Sequence, residues 1–269
     1  MKVGLVGGGN MGLAYARSLV GKNIVESSEL TIYESFPERL LFLKDLDIAV
    51  VKPEIDDEIS ELDVLILATK PQQFSDLAKL LQPLLTANTI IISIMAGVKS
   101  SVIKEKLKVV KIVRAMPNTP CQNGHGATGY YLFPEVTKDE KEVTFKLLSS
   151  TGFCTEVKTE EDIDSVTAVS GSGPAYVYLF AKAMQEAGVS MGLEEKNTTK
   201  LVLQTLKGAL NLMETSGETF DELIANVKSK GGTTEAALNN FIGSNFEQIV
   251  AESMQKAKDR ASELSDMIK

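Results

Sequence analysis

Histidine and cysteine are scarce in this sequence. Its 269 residues include one histidine, His125, and two cysteines, Cys121 and Cys154. A single histidine excludes polyhistidine metal sites and leaves little room for a histidine-based triad. Two cysteines are too few for a disulfide scaffold in a chain of this length, so we expect free thiols in an intracellular protein. The chemistry is therefore expected to come largely from a bound group.

Positive charge and long apolar runs are also lacking. The chain has 28 Lys and Arg against 36 Asp and Glu, a net charge of −8. This charge argues against electrostatic binding of nucleic acid or anionic lipid over a broad surface. The apolar start of the sequence, residues 3–6, runs into glycines and is too short for a signal peptide or a membrane span. We expect a soluble, cytoplasmic protein with neither nucleic-acid nor membrane partners.

The first part of the chain alternates short β-branched runs with helical patterns. This alternation is typical of βαβ units around a parallel sheet. The runs predicted as strands are residues 2–6, 30–34, 47–51, 63–68, 89–94, 111–115, 127–133 and 153–157. Two of them, residues 63–67 and 89–94, are apolar without a period of two, which indicates central strands covered on both faces.

The strand pattern stops near residue 160, and the rest of the sequence is typical of helices punctuated by glycine. The helix that follows Pro174, predicted to reach residue 187, is apolar nearly all round and is expected to be buried. Further helices are predicted over residues 194–216, 220–227, 234–242 and 246–268. We therefore predict an α/β domain with a doubly wound parallel sheet in residues 1–160, followed by an all-α domain in residues 161–269.

A glycine motif joins the first predicted strand to the first predicted helix. The segment Gly7-Gly8-Gly9-Asn10-Met11-Gly12 contains Gly-x-Gly-x-x-Gly. In Rossmann domains the first glycine permits a tight turn, the second lets the backbone approach a pyrophosphate, and the third allows close packing of helix on strand. The strand before the motif and the βαβ series after it favour a dinucleotide-binding Rossmann domain over a simple turn.

An acidic residue follows at the spacing that such domains use for the adenosine ribose. Glu34 lies 22 positions beyond Gly12, at the end of the second predicted strand. A carboxylate there accepts from the ribose 2′-hydroxyl and repels a 2′-phosphate, so we predict a preference for NADH over NADPH. Arg39 lies close enough in sequence to leave the sign of the local charge open.

Two more candidate contacts follow strands at the edge where open α/β sheets bind ligands. Lys70-Pro71 follows the strand that ends near Ala68, and Asn118 follows the last parallel strand. Lys70 and Asn118 are therefore candidates to contact the ribose and the nicotinamide. The alternative is that the prolines merely end the strands and that Lys70 is solvated.

A second constellation lies in the helical part of the chain. Gly231-Gly232-Thr233-Thr234 precedes a predicted helix, with Thr233 or Thr234 as the expected N-cap. Successive free amides at a helix N-terminus suit a carboxylate, even on an acidic protein. An ordinary loop and cap is the alternative interpretation.

Several motifs together resemble the pyrroline-5-carboxylate reductase family over essentially the whole chain. In chain order they are Gly7-Gly8-Gly9-Asn10-Met11-Gly12, Ala68-Thr69-Lys70-Pro71, Met95-Ala96-Gly97-Val98, Arg114-Ala115-Met116-Pro117-Asn118-Thr119-Pro120, Ser170-Gly171-Ser172-Gly173-Pro174-Ala175-Tyr176 and Gly231-Gly232-Thr233-Thr234. The last two motifs are the most specific for that family among Rossmann dehydrogenases.

The resemblance implies reduction of Δ1-pyrroline-5-carboxylate to L-proline, the last step of proline biosynthesis, with NADPH or NADH. It also implies an all-α dimerisation domain, a homodimer and, in some members, a ring of dimers. The residues that it places at the substrate are Ser229, Gly231, Gly232, Thr233 and Thr234, with Thr234 near the ring nitrogen as the catalytic candidate. The residues expected at the dinucleotide are Gly7, Gly9, Asn10, Met11, Gly12, Glu34, Ser35, Ala68, Lys70, Pro71, Ala96, Gly97 and Asn118.

Two positions depart from the family pattern. Lys230 stands where a proline usually precedes the paired glycines, which frees one amide and adds a positive charge. Glu34 stands where many members carry small or amide residues suited to a 2′-phosphate. The second departure leaves the cofactor choice open without changing the expected reaction.

Other functions remain as alternatives at this level. His125 could serve as the acid of a hydroxy-acid dehydrogenase, and Cys121, His125 and Cys154 could surround a metal, although a structural zinc needs four ligands. Lys182 could be the lysine of a β-hydroxyacid dehydrogenase, although it is more simply the solvent edge of its helix. A non-catalytic nucleotide sensor is a further class, which would not need a site for a substrate carboxylate.

Overall fold

A computed structural model describes residues 1–267 of the chain. Its strands are β1 Val3–Val6, β2 Leu30–Tyr33, β3 Val50–Lys52, β4 Val64–Leu67, β5 Ile90–Ser93, β6 Ile112–Met116, β7 Gly126–Leu132 and β8 Gly152–Glu156. Its helices are α1 Asn10–Gly21, α2 Pro37–Asp45, α3 Phe74–Leu81, α4 Ser100–Leu107, α5 Lys138–Leu148, α6 Asp162–Val166, α7 Gly173–Ser190, α8 Glu195–Thr215, α9 Phe220–Val227, α10 Thr233–Gly243 and α11 Phe246–Met267.

The strands form one sheet in the order β3-β2-β1-β4-β5-β6-β7-β8. This order is doubly wound, with β1 and β4 at the point where the winding reverses. The predicted parallel arrangement is confirmed for β1 to β6, and β7, whose direction the sequence did not predict, runs antiparallel to β6. The short turn Thr119–Asn123 connects these two strands, and an antiparallel pair needs no crossover helix.

The central strands of the sheet are buried on both faces, as the apolar runs predict. Along β1 and β4, alternate side chains enter two separate clusters. Leu5 and Ile66 join the cluster that includes Tyr15 and Leu19 of α1. On the other face, Leu67 packs with the cluster of α3 and α4. The carboxyl ends of the central strands are therefore held rigidly between two helical layers.

The third strand begins later than predicted. It covers Val50–Lys52 rather than residues 47–51, because Asp47 adopts a φ of 50° just after α2. A left-handed residue cannot continue an extended strand. The shift places Lys52 at the carboxyl edge of the sheet.

The helical part of the chain has the predicted elements, but its apolar helix is not buried within one chain. Tyr178 and Leu179 of α7 are 63% and 67% exposed. Burial was expected because the helix is apolar on nearly every side, yet the chain itself does not supply enough facing surface to cover it. Among residues 1–267, no helix combines the length and apolar character needed to cross a membrane.

The chain forms two compact units whose limits differ from the predicted boundary at residue 160. One unit comprises Met1–Ser172 and the described residues from Lys256 onward, and the other comprises Gly173–Gln255. Helix α6 packs on β6 and β7, so the helical pattern begins before the first unit ends. The second part of α11 belongs to the first unit.

Candidate active site

The glycine motif forms the turn between β1 and α1. Gly7 has a φ of 100°, which favours glycine. A Cβ on Gly12 would lie 2.0 Å from the carbonyl oxygen of Gly7, whereas a Cβ on Gly9 would meet none of the described residues within 4 Å. The motif therefore combines close helix-strand packing with an open backbone surface at the N-terminus of α1, and this surface suits a pyrophosphate.

Glu34 and Arg39 hold the Gly8 peptide from both sides. The Gly8 amide donates to Glu34 Oε2 at 2.9 Å, and Arg39 Nε donates to the Gly8 carbonyl at 2.6 Å. The other carboxylate oxygen, Glu34 Oε1, accepts from the Phe36 amide at 2.9 Å. The Arg39 guanidinium lies over the Phe42 ring, 4.8 Å from its centroid. These contacts fix the Glu34 carboxylate at the carboxyl end of β2.

A cleft of about 660 Å³ opens at this edge of the sheet. It brings together six of the predicted dinucleotide contacts, namely Gly7, Gly9, Glu34, Ser35, Ala68 and Lys70. Of the remaining ones, Asn10 and Met11 lie in the first turn of α1, and Pro71 begins a short 3₁₀ turn. The glycine backbone, an acid at the end of β2 and the size of the cleft suit a dinucleotide.

Sequence patterns missed part of the cleft wall. Leu77, Leu80 and Leu84 form an apolar side, and Glu54 lies beside Pro53 after β3. Ligands of open α/β sheets bind at the carboxyl ends of the strands. Because β3 ends at the same edge as β1 and β2, residues 53–55 could have been predicted to line the cleft. The spacing of the three leucines on and after α3 is the helical signal that could have revealed the apolar side.

Lys52, near this end of the cleft, is paired with two acids. Lys52 lies 2.5 Å from Asp56 Oδ2 and 2.6 Å from Glu58 Oε2. Burial opposes ionisation of Asp56, but the hydrogen bond and charge of Lys52 outweigh it and lower the pKa of this carboxyl. Tyr33 lines the cleft and donates to Asp56 at 3.3 Å. Among the described residues that line the cleft, Lys70 alone carries positive charge.

The loops after β5 and β6 hold the last three predicted contacts. After β5, Ala96 is exposed and Gly97 is buried. After β6, the Asn118 side chain bonds within the protein: its amide nitrogen donates to the Ser170 carbonyl at 3.0 Å, and its oxygen accepts from the Ala127 amide at 2.9 Å. A contact from Asn118 to the nicotinamide stays a prediction.

The paired glycines of the second unit precede α10, but neither threonine is the N-cap. Helix α10 begins at Thr233 with Gly232 as N-cap, and the Gly232 carbonyl accepts from the Ala236 amide at 3.2 Å. The prediction of a threonine cap is therefore wrong. Instead of a threonine hydroxyl, the Glu235 carboxylate bonds the loop, accepting from the Gly231 amide at 2.7 Å.

The loop has free donors and a neighbouring cleft. The amides of Thr233 and Thr234 lie in the first turn of α10, where a helix leaves its N–H groups without intrahelical acceptors. Thr234 is half-buried and lines a cleft of about 720 Å³ with apolar neighbours such as Leu212 and Phe220. A hydroxyl and several amides thus meet an apolar surface, which suits a small ring bearing a carboxylate.

The residues considered for the alternative functions do not form a catalytic or metal site. His125 is exposed, and burial raises the pKa of the Cys154 thiol. Residues 1–267 contain no group of three His, Cys, Asp or Glu side chains that could hold a metal. Lys182 is exposed and lies 3.4 Å from Glu186 one helical turn away, so it is the solvent edge of α7.

Comparisons with known proteins identify the family of this chain. A sequence model described as pyrroline-5-carboxylate reductase dimerisation matches residues 160–264, and one described as NADP oxidoreductase coenzyme F420-dependent matches residues 2–97. The pyrroline-5-carboxylate reductase of Vibrio alginolyticus is 35% identical over 99% of this chain and 98% of its own length. The chain belongs to the pyrroline-5-carboxylate reductase family.

Solved structures of pyrroline-5-carboxylate reductases have the same fold. The enzyme from Coxiella burnetii matches with a TM-score of 0.89, and that from Plasmodium falciparum, with NADP bound, matches with a TM-score of 0.86. Both are 30% identical to this chain, and each match covers 98% of both chains. The predicted family resemblance and the predicted fold class are confirmed.

Proposed function

We propose that this protein reduces Δ1-pyrroline-5-carboxylate to L-proline, the last step of proline biosynthesis, with a reduced nicotinamide dinucleotide. The observation that carries the substrate assignment is the N-terminus of α10, where the Thr233 and Thr234 amides lack intrahelical acceptors and Thr234 lines an apolar cleft. The open glycine face in the first unit supports the dinucleotide. Membership of the family supports the combination of the two sites in one enzyme.

This reaction requires the protein mainly to align the substrate with the dinucleotide. When bound, a reduced nicotinamide dinucleotide would supply a hydride for the ring carbon of the C=N bond, which is already electrophilic when the nitrogen is protonated. The amides of Thr233 and Thr234 hold the substrate carboxylate. Ser229, Gly231 and Gly232 shape the loop before them, in which the Gly231 amide donates to Glu235 and the Gly232 amide donates to the Ser229 carbonyl at 3.0 Å. The Thr234 hydroxyl orients the ring nitrogen, so its role is positioning rather than acid catalysis.

The dinucleotide site has parts with distinct tasks in this proposal. The backbone of Gly7, Gly9 and Gly12 with the first turn of α1, Asn10 and Met11, holds the pyrophosphate. Glu34 and Ser35 meet the adenosine ribose. The remaining contacts, which follow other strands of the sheet, are Ala68, Lys70, Pro71, Ala96, Gly97 and Asn118.

We further propose that NADH is preferred over NADPH. The Glu34 carboxylate is fixed in the cleft by two backbone amides. Glu54 adds a second acid to the same cleft, and the Lys52 ammonium is engaged by two acids beside it. A 2′-phosphate would meet these negative charges at close range, whereas a ribose hydroxyl would donate to Glu34.

The assembly is proposed as a cytoplasmic homodimer that can build a ring of dimers. Support for the dimer comes from the dimerisation model that matches residues 160–264 and from the uncovered apolar side chains of α7. An exposed apolar patch of this kind is typical of a protein interface.

The first test is the decrease of reduced-nicotinamide absorbance with racemic pyrroline-5-carboxylate, measured separately with NADH and NADPH. We expect oxidation of the dinucleotide with formation of proline, and a higher kcat/KM with NADH. Binding without oxidation would contradict the enzyme assignment and favour a sensor. Oxidation with a 3-oxo acid in place of the imine would favour a hydroxy-acid dehydrogenase.

The second test concerns the substrate loop. Thr234→Val removes the hydroxyl while keeping the shape, and Thr234→Ser keeps the hydroxyl. If Thr234 orients the ring nitrogen, valine lowers kcat/KM for the imine by up to about 100-fold and serine restores most of it. Unchanged turnover and unchanged affinity for proline-like carboxylates in Thr234→Val would contradict the assignment.

A further inference from the structure

The loop after β5 packs directly against the backbone of α11. Gly97 has a φ of 75°, and a Cβ built on it would lie 3.3 Å from both the carbonyl carbon of Leu264 and the amide nitrogen of Ser265. The helix backbone therefore lies directly over Gly97 and leaves little room for a side chain, which the left-handed conformation also disfavours. The loop and this part of α11 belong to the same compact unit.

Beneath this contact, one buried arginine connects four segments. Arg114 of β6 is 3% exposed. Its Nη1 lies 3.3 Å from Glu160 Oε1, and its Nη2 lies 3.4 Å from both Asp164 Oδ1 and Ser265 Oγ. Glu160 Oε1 also accepts from the Ser100 amide at 2.6 Å, at the start of α4. Arg114 thus joins the far end of the loop to α6 and to α11.

A third contact lies on the outer side of the loop. Lys99 Nζ is 2.6 Å from Asp266 Oδ1, and both side chains are partly exposed. This hydrogen bond raises the pKa of Lys99 despite the opposing effect of burial. Residues 97, 99 and 100 are therefore each held by a different interaction, two of which reach α11.

We propose that residues 261–267 of α11 position the loop of residues 95–100 for the dinucleotide, with Arg114, Ser265 and Asp266 as positioning residues. The inference rests on the proposed function, in which Ala96 and Gly97 contact the dinucleotide. The loop follows β5 at the carboxyl edge of the sheet, where such ligands bind. Ala96 at the tip is exposed and Lys99 is partly exposed, whereas the other residues of the loop are buried. The contacts behind the tip therefore set the position of its backbone.

The test compares two charge reversals on one helix. Asp266→Lys replaces the partner of Lys99 by a repelling charge, and Glu263→Lys makes the same change three residues away, where the partner is Arg260 of α11 itself. The dissociation constant of NADH is measured by its fluorescence at low salt, without imine. We expect Asp266→Lys to weaken binding about two- to fivefold, as for a partly exposed ion pair, and Glu263→Lys to leave it unchanged.

Two further variants separate positioning from general stability. Lys99→Glu combined with Asp266→Lys re-forms the pair with reversed polarity and is expected to restore NADH binding. Ser265→Ala removes one acceptor of Arg114 and is expected to weaken binding about three- to tenfold. Hydrogen exchange should rise in residues 95–100 for Asp266→Lys and Ser265→Ala only, and the rise in KM for NADH should exceed the fall in kcat.

Several results would overturn the inference. One is equal NADH binding by Asp266→Lys and Glu263→Lys, and another is a lower melting temperature of Ser265→Ala with an unchanged dissociation constant. Failure of the reversed pair to restore binding would also contradict it. A wild-type chain that bound neither NADH nor NADPH is a separate outcome, because it would refute the proposed function before any variant is compared.

Discussion

Asn118 supplies the hydrogen bond that Pro174 cannot give to Ser170. In an α-helix the carbonyl of Ser170 would accept from the N–H of residue 174, but proline has no N–H. The Asn118 side chain donates to this carbonyl at 3.0 Å and accepts from the Ala127 amide with its oxygen. The loop after β6 is thereby connected to the π-helical turn Thr167–Gly171.

Asn118→Asp is expected to destabilise the protein. The substitution replaces the donor by a carboxylate oxygen that faces the Ser170 carbonyl, and we expect a loss of about 1–3 kcal/mol in unfolding free energy. Asn123→Asp is the matched control, because Asn123 is exposed at the end of the same turn. Urea denaturation with equal midpoints for the two variants would show that the bond to Ser170 is unimportant.

Gly9→Ala should impair dinucleotide binding without affecting folding. Gly9 has a φ of −62°, which alanine tolerates, and the position of its Cβ is open among the described residues. The added methyl group would occupy the space proposed for the pyrophosphate, so we expect NADH to bind about 10- to 100-fold more weakly. Gly21→Ala, at the other end of α1 and equally open, should retain wild-type affinity. Equal NADH affinities would place the pyrophosphate elsewhere.

Glu34→Ser should shift the cofactor preference toward NADPH. The variant loses the carboxylate that bonds the amides of Gly8 and Phe36, together with its repulsion of a 2′-phosphate. We expect the ratio of kcat/KM for NADH over NADPH to fall about tenfold, the effect of roughly 1.4 kcal/mol. Glu38→Ser, at an exposed acid in α2, is the control. A wild-type preference for NADPH that the substitution leaves unchanged would refute the NADH proposal.

Glu235 affects the substrate loop through both its charge and its hydrogen bond. Glu235→Gln keeps an acceptor for the Gly231 amide but removes a negative charge near the proposed carboxylate site. We expect its KM for the imine to fall about two- to fivefold at low salt. Glu235→Ala loses the hydrogen bond as well, loosens the loop, and should raise KM. If both variants had the same KM as the wild type, Glu235 would have no effect on substrate binding.

Glu140 is expected to contribute acid-sensitive stability. Burial opposes ionisation of Glu140, but Lys111 at 2.6 Å and the Thr137 amide outweigh it, so the pKa lies below the usual 4.5. A lowered folded pKa means that the contribution is present above about pH 4.5 and is lost as pH falls through the folded value. We expect Glu140→Gln to lose about 1–2 kcal/mol at pH 7.

The check is urea denaturation of wild type and Glu140→Gln between pH 7 and pH 3. The difference between them should narrow as the pH falls below 4.5 and disappear below the folded pKa of Glu140, where both side chains are neutral. Glu142→Gln, on the exposed side of α5, should match the wild type throughout. A difference that stays constant down to pH 3 would show that charge is not the source of the stability.

Most of the fold follows from short-range patterns. The apolar runs identify β4 and β5 as central strands, because a strand that is covered on both faces carries apolar side chains on both of them. The glycine motif identifies β1 as a third central strand. The direction of β7 could not be predicted in this way. It depends on the path of the connection Thr119–Asn123, whose residues only show that a turn occurs. The left-handed Asp47 that delays β3 is likewise invisible in a propensity pattern.

The site could be predicted where one motif supplies its residues. Gly9 and Glu34 were predicted by spacing along the chain, and both line the cleft. Leu77 and Glu54 were missed because they reach the cleft through packing of separate segments. The bond between Glu235 and Gly231 depends on the conformation of the loop, so the threonine cap suggested by residue type alone was wrong.

The second part of α11 belongs to the first unit, and this limits where such proteins can be divided and recombined. The sequence of that unit is discontinuous, with Gly173–Gln255 inserted between its two parts. A single crossover near residue 172 would transfer the nucleotide half of the chain without the helix that covers Gly97. Exchange of helical regions between relatives therefore requires two junctions, one at each end of the insertion.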